Sequence, residues 1–569
     1  MSDGARDTGP PFVAPGAGRW TLDLSHFDGG TTPIVMSAMT QGVEGAFAES
    51  FANQGIPART MSMRWANGFA YSRLLPLVGA ERPSTKAPPA LAVKVLTRLH
   101  PEFRRRTKAA VQSLNEPPYR DAVDDYYEQG EAALIETNET FQKLDVGTLD
   151  DEALSRYAAD LVEHLHWSYR KHFELHSADL GAIAQLAYRC KQWGIAAAEV
   201  VGALSGASPH TSEPALLLEQ IREELNANSN IGAQPPTSID DLRSISPVIA
   251  ELVDAYMTRQ GWVIYSRYDL DGVTLAETSD VFLATVVSGS VRQRTVDHAK
   301  VIRELRERVP MAEQPDFDYY VEEARFVMGM RDAQGPLTVE WPNGLLRRAM
   351  LEVGRRAVER GQLTERDHVF CYEGAELVAA ALALGPRDGD GSTEIRSASE
   401  MAEAAELRSL QKLRTAPRTL GPVEPPPPLD ALPKPLADLT AMVTGVIEDL
   451  GMGPPTEAQD ARAIGAGVGI GTESFVGVAR VAATPEEALN SLEPGEILVT
   501  LTTTPAYNLV LTMVGGLVTA EGGPVSHAAV LARELGIPAV IGARDVMQFI
   551  NSGDTLEIDP VAGTVQIVD

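Results

Sequence analysis

Residues 519–542 read TAEGGPVSHAAVLARELGIPAVIG, and the placing of one histidine in this stretch is suited to phosphoryl chemistry. His527 follows two glycines, Gly522 and Gly523, and opens a helix-forming run over 528–535 that Gly536 stops. Pro538, Ala539, Val540 and Ile541 then read as a buried strand. A helix N-terminus turns backbone N–H groups and the positive end of the helix dipole toward an anion, so a histidine there can carry a phosphoryl group. Gly522 and Gly523 present no Cβ against its approach, and Ser526 can donate one more hydrogen bond. An imidazole with its ordinary pKa of ~6.5 is largely neutral at pH 7 and keeps a lone pair for nucleophilic attack. Taken alone, such a histidine is more often a structural ring in a strand–helix–strand unit.

A second set of chemically capable residues lies in the histidine-dense stretch 154–179, which holds His164, His166, His172 and His176. At roughly 100° per residue, with Leu161 as zero, His172 falls near about 20°, Leu165 near about 40° and His176 near about 60°. His166 falls near about 140°, off the apolar face. His172 and His176 are therefore expected to point inward, where a polar ring needs a partner. Three readings stay open for them: satisfied core histidines, a base or orienting group for an acceptor hydroxyl, or a metal-binding i, i+4 pair. The metal reading lacks an HExxH pattern and an identifiable third ligand. Arg267, Tyr268 and Asp269 are further candidates for holding a phosphoryl group or an acceptor, with a salt-bridged loop as the plainer alternative.

These residues need several elements to position them. A chain of 569 residues exceeds a single core and predicts two to four domains. Its hydrophobic share of 44% is that of an ordinary globular protein. No run of 18 or more uncharged apolar residues occurs, so no membrane partner is expected. The N-terminus lacks an apolar signal core, which leads us to expect a cytoplasmic location. Cys190 and Cys371 provide neither a disulfide framework nor a metal quartet, and no metal site is assigned. The net charge of −29 argues against a nucleic-acid partner, whose phosphates it would repel.

The pattern divides the chain into three parts. Residues 1–420 are mainly helical with a strand-bearing start. Residues 421–462 form a Pro-rich linker, and residues 463–569 form a small domain of short β-runs with two helical stretches, the second around 545–550. In the linker, the 14 residues 422–435 favour an extended conformer of roughly 43 Å, enough to let the last domain travel. The glycines Gly465, Gly467, Gly469 and Gly471 invite a dinucleotide-binding reading, but Ile470 and Thr472 occupy the third-glycine position and a strand pattern follows where a helix is required. A tight turn leading into the domain is the better reading.

The stretch around His527 resembles the phosphohistidine segment of the PEP-utilising enzymes, the superfamily of PEP synthase, pyruvate phosphate dikinase and rifampin phosphotransferase. Thr519, Gly522, Gly523, Ser526, His527, Ala529, Ala532, Arg533, Glu534, Gly536, Ile537, Pro538 and Ala539 match that pattern. Val525 stands where several relatives have Thr, so control by phosphorylation there is not expected. The resemblance implies an α+β multidomain protein: a large helical acceptor-binding region joined by the linker to a swivelling β/β/α phosphohistidine domain. It makes His527 the phosphocarrier, with Gly522, Gly523 and Ser526 around the phosphate and Arg533 as a candidate to hold it; Glu534 is expected to brace the helix. Looser similarities in order along residues 1–420, including 268–277 (YDLDGVTLAE), point toward the branch of two-polypeptide aromatic-phosphorylating synthases.

No ATP-grasp region or P-loop is visible, since no Gly-Lys-Ser/Thr string occurs. The resemblance therefore implies a split ATP-dependent phosphotransferase. ATP and Mg²⁺ would sit on a separate ATP-grasp subunit, and the acceptor, a small phenol-like molecule, would bind in residues 1–420. The alternatives are a rifamycin-type antibiotic phosphotransferase component and a non-catalytic phosphocarrier or regulatory protein.

Overall fold

The computed structural model describes residues 9–23, 27, 29–79, 86–115, 119–204, 206–228, 236–288, 298–383, 395–423, 425, 428–449, 464–471, 473–503, 507–524 and 526–568. Val525 and residues 450–462 of the expected linker lie outside them. Helix and sheet are mixed, and the described chain divides into two compact units. The first takes Met1–Ala178, Asp269–Asp271 and Leu337–Ala441; the second takes Asp179–Tyr268, Gly272–Pro336 and Met442–Asp569. The division does not follow the boundary at residue 420: helices from the expected acceptor region group with the C-terminal residues.

In the first unit, the strand-bearing start becomes an antiparallel sheet. Its strands are β1 (Trp20–Leu22), β2 (Ala58–Ala66), β3 (Phe69–Pro76) and β4 (Thr419–Leu420), in the order β2-β3-β1-β4. The β2–β3 turn is Asn67-Gly68, both at positive φ as a tight hairpin requires. Trp20, Ala66, Phe69, Tyr71 and Leu420 form a buried cluster on this sheet, so the two ends of the 1–420 stretch meet in one core. The histidine-dense stretch is a single helix, Asp151–Gln192, longer than the 154–179 read from its periodicity. No Pro interrupts it, and its apolar spacing continues through Ala182, Ile183, Leu186, Ala187 and Cys190, all buried.

One expectation is corrected in the linker. Residues 422–435 are not extended throughout, because Leu429–Ala431 is a 3-10 turn and a helix runs over Lys434–Asp449. Pro435 sits in the first turn of that helix, where a missing N–H costs nothing, and Leu436, Leu439 and Met442 are buried. Proline spacing read as stiffness; the apolar repeat after it wins.

The second unit holds the seven strands of residues 463–569. They are β5 (Val468–Ile470), β6 (Phe475–Val481), β7 (Ile497–Thr500), β8 (Gly516–Thr519), β9 (Ala539–Ile541), β10 (Thr555–Asp559) and β11 (Thr564–Ile567). The order is β11-β10-β6-β7-β8-β9-β5. The inner strands β6 to β9 run parallel, and β5, β10 and β11 pair antiparallel. β7, β8 and β9 are buried at every residue, as parallel strands covered on both faces must be. Alternation divides them between two cores. Leu498, Leu517, Ala539 and Ile541 face Ala528, Ala529, Leu531 and Ala532 of the His527 helix, whereas Ile497, Val499, Val518 and Val540 face Val546, Leu556 and Ile558.

The glycine string serves packing. A Cβ on Gly469 would lie 1.7 Å from the Pro560 carbonyl oxygen, with backbone on both sides of the contact. Gly469→Ala is expected to destabilise this domain by about 1–3 kcal/mol, the cost of forced overpacking. Chemical denaturation would show it; an unchanged midpoint would mean that the strand shifts freely.

Candidate phosphohistidine site

The crossover from β8 to β9 carries the site. β8 ends at Thr519, and the chain turns through Gly522 at φ 116°, a conformation L side chains rarely adopt, before the helix His527–Glu534 begins. A side chain at Gly522 would also press on Ser526 Oγ at 3.0 Å. Ser526 is the N-cap: its hydroxyl donates to the Gly523 carbonyl at 2.8 Å and accepts from Ala529 N–H at 3.4 Å. This places His527 in the first helical turn, at the C-terminal end of a parallel strand, where α/β folds hold ligands.

The next strand supplies the partner that the sequence reading missed. Three residues past the end of β7, buried Thr503 bonds His527 through Oγ1···Nδ1 at 3.0 Å. If Nδ1–H is the donor, the in-plane lone pair lies on Nε2, so the bond would fix the nucleophilic nitrogen. The only signal was the threonine run 502–504 directly after a strand pattern, and it names no single residue. Thr503→Val is expected to slow phosphorylation of His527 about tenfold, equivalent to one hydrogen bond of about 1.4 kcal/mol. Equal rates in the two proteins, measured by acid-labile phosphate, would show that ring orientation is set elsewhere.

His527 is half-buried, and its removal from water pushes the imidazole down to about 3. It is therefore neutral, and a nucleophile, throughout the physiological range. An ordinary histidine of pKa ~6.5 is only about 3% neutral at pH 5. Phosphorylation of His527 by a chemical donor such as phosphoramidate should stay level from pH 8 to pH 5, after correction for the donor's own pH dependence. A roughly 30-fold fall, as free imidazole shows, would mean that the ring titrates normally.

Arg533 and Glu534 brace the site. Arg533 donates to the Pro524 carbonyl at 3.2 Å, tying the end of the helix back to the turn before His527. Burial lowers its pKa to about 10, so it stays cationic at neutral pH. The Glu534 carboxylate accepts from Gly206 N–H at 2.8 and 3.0 Å, which fits the expected bracing role. A cavity of about 510 Å³ in the same unit is lined by Gly206, Ala207, Val321, Arg325 and Phe326 among others.

The other candidates are divided between the two units. His172, in the first unit, is buried, and its Nδ1 lies 3.2 Å from Thr338 Oγ1. His176 stacks on it at 6.0 Å between ring centroids. Asp269, also in the first unit, is fully buried and accepts from the backbone N–H and hydroxyl of Thr32, bracing the start of the helix Pro33–Gln54. Arg267 and Tyr268 directly precede Asp269 in the chain, and Tyr268 is buried as well. Among the described residues, no group of three or more His, Cys, Asp or Glu could hold a metal ion, and no helix is long and apolar enough to cross a membrane.

His164 shows what a buried structural histidine looks like here. Its Nε2 meets Asn138 Oδ1 at 3.0 Å, and burial lowers its pKa to about 4. The unfolded chain binds this proton near ~6.5, so stability should fall as pH drops from 6.5 to 4 and then level off, by at most about 3 kcal/mol from this residue. His164→Gln should flatten that part of the melting-temperature profile. An unchanged profile would assign the acid sensitivity to other groups.

Comparison with known proteins agrees with this geometry. Residues 492–563 match the family model of the PEP-utilising enzyme mobile domain. A phosphoenolpyruvate synthase of Aeropyrum pernix is 43% identical over 89 residues, 16% of this chain and 11% of that protein. The prodigiosin synthesizing transferase PigC of Serratia marcescens is 31% identical over 239 residues, 42% of this chain and 23% of that protein. The chondramide synthase CmdD of Chondromyces crocatus is 33% identical over 227 residues, 39% of this chain but 5% of that protein. The last two matches are longer than residues 463–569, so they extend beyond the C-terminal domain. The chain spans less than a quarter of the length of each of these relatives.

Proposed function

We propose, starting from the chain's membership of the PEP-utilising superfamily through its mobile domain, that it is the histidine-bearing component of an ATP-dependent phosphotransferase. The observation that carries this reading is His527: an imidazole held neutral by burial, oriented through Nδ1 by Thr503, at the start of a helix behind a glycine turn. In the first half-reaction, Nε2 attacks the β-phosphorus of ATP bound on a separate ATP-grasp subunit with Mg²⁺. The P–N bond forms as the bond to the AMP oxygen breaks, and hydrolysis of the γ-phosphoryl releases phosphate. Gly522, Gly523 and the N–H groups of the first helical turn receive the phosphoryl oxygens. Ser526 Oγ, already bonded to Gly523, keeps that turn in shape.

In the second half-reaction the acceptor's hydroxyl oxygen attacks phosphorus and the P–N bond breaks. The electron pair returns to Nε2, and the hydroxyl proton passes to a base in the acceptor region. A phenol, with its pKa near ~10, needs that base. His172 is our candidate, because it lies on the long helix beside the Thr338 hydroxyl and the stacked His176. The small aromatic acceptor itself is proposed from the similarity of residues 268–277 to the two-polypeptide synthases. The test is phosphorus NMR of this chain, a lone ATP-grasp protein, Mg-ATP and a panel of phenols and alcohols. A phosphate ester formed with AMP supports the reading. Labelled His527 with no ester from any hydroxyl compound would leave a phosphocarrier and overturn the acceptor assignment.

A further inference from the structure

The helix Ala90–Leu99 turns its larger apolar face outward. Only Val93 and Thr97 are buried, while Leu91 is 75% exposed, Val95 49%, Leu96 40% and Leu99 71%. With Val93 at zero and roughly 100° per residue, these four residues and Ala92 occupy an arc from about 160° to about 300°, opposite the buried side. Lys94 and Arg98 border the arc near about 100° and about 140°. The following helix, Pro101–Asn115, adds exposed Arg104, Arg105 and Lys108, with Val111 45% exposed.

The charge of this segment is opposite to that of the protein. Residues 86–108 contain seven Lys and Arg and one acid, Glu102, in a chain of net charge −29. Glu102 is already paired with Arg105 and Arg106. An aliphatic arc edged by cations on one helix is the pattern of a helix that lies in a bilayer interface, its apolar side among acyl chains and its cations at anionic headgroups.

We propose that helix Ala90–Leu99, with the basic start of Pro101–Asn115, docks this protein on an anionic lipid surface. A protein partner fits less well. The arc is the convex face of one helix, and it contains none of the aromatic anchors that dominate protein interfaces. The overall negative charge does not forbid the contact, because charges beyond about 8 Å are screened at physiological salt while the basic patch acts at the surface. The lack of a membrane-crossing helix bears on spanning a bilayer and leaves surface binding open.

The test is cosedimentation of the full chain with vesicles of phosphatidylcholine alone and of phosphatidylcholine mixed with phosphatidylserine. Binding is expected only to the mixed vesicles, and it should weaken as salt rises. The pairs Leu91→Glu with Leu99→Glu, and Lys94→Glu with Arg98→Glu, should each lower the partition coefficient about tenfold or more, at roughly 1 kcal/mol per surface charge. Melting curves and chemical phosphorylation of His527 in both variants should match wild type, which separates lost binding from lost folding. Absence of binding to mixed vesicles would overturn the proposal, as would binding indifferent to both pairs of substitutions. So would a concentration-dependent dimer that Leu91→Glu with Leu99→Glu abolishes while vesicle binding persists unchanged.

Discussion

His527→Ala removes all the acid-labile phosphate that the protein takes up from ATP in the presence of an ATP-grasp partner. The effect is complete because, among the described residues, no other histidine combines the same three features. His527 opens a helix at the end of a parallel strand, is kept neutral by burial, and has Nδ1 set against a buried hydroxyl. His164 shares the depressed pKa, yet it lies mid-helix against Asn138 with no helix terminus to receive a phosphate. The substitution should leave folding intact, since the ring is only half-buried and alanine is well suited to the first turn of a helix. Quantitation of acid-labile phosphate, with a melting curve as control, decides it. Full labelling of a folded His527→Ala protein would remove the basis for any phosphocarrier reading.

How much of this was legible in the sequence depended on how local each signal was. The turn and helix around His527 could be read because their determinants lie within a few residues: two glycines, a capping serine, a short apolar stripe and a stopping glycine. Strands β7, β8 and β9 were legible for the same reason, as short, largely apolar runs. Thr503 was not, because its role exists only once β7 and β8 pair in register and bring residues 24 apart in sequence into contact. The linker was misread in part, since Pro435 is compatible with both an extended chain and the first turn of a helix, and only the burial of Leu436, Leu439 and Met442 decides between them. Asp269 shows the limit most clearly. Beside Arg267 it reads as a site residue, but its carboxylate holds Thr32, 237 residues earlier. No window along the chain contains that contact.

The acceptor side gives the second large effect. If His172 is the base, His172→Ala should slow transfer from phosphorylated His527 to a hydroxyl acceptor by about 10²-fold or more, the usual contribution of a positioned general base. Loading of His527 should be unchanged, because that half-reaction does not use the ring. The buried position of His172 and its Thr338 contact are compatible with a base, but they also describe a satisfied core histidine. Separate half-reactions divide the two. Chain phosphorylated in advance is mixed with acceptor and quenched at short times, so only the transfer step is read. A core histidine would instead lower the melting temperature while transfer persisted, by the cost of leaving the Thr338 hydroxyl without its ring partner. His172→Gln sharpens the contrast, since an amide can keep a hydrogen bond to Thr338 but cannot take a proton at neutral pH. A base would be lost in both variants, whereas a structural ring would be largely rescued by glutamine. If glutamine restores stability and transfer together, the base belongs elsewhere in residues 1–420, and Arg267, Tyr268 and Asp269 become the next to test.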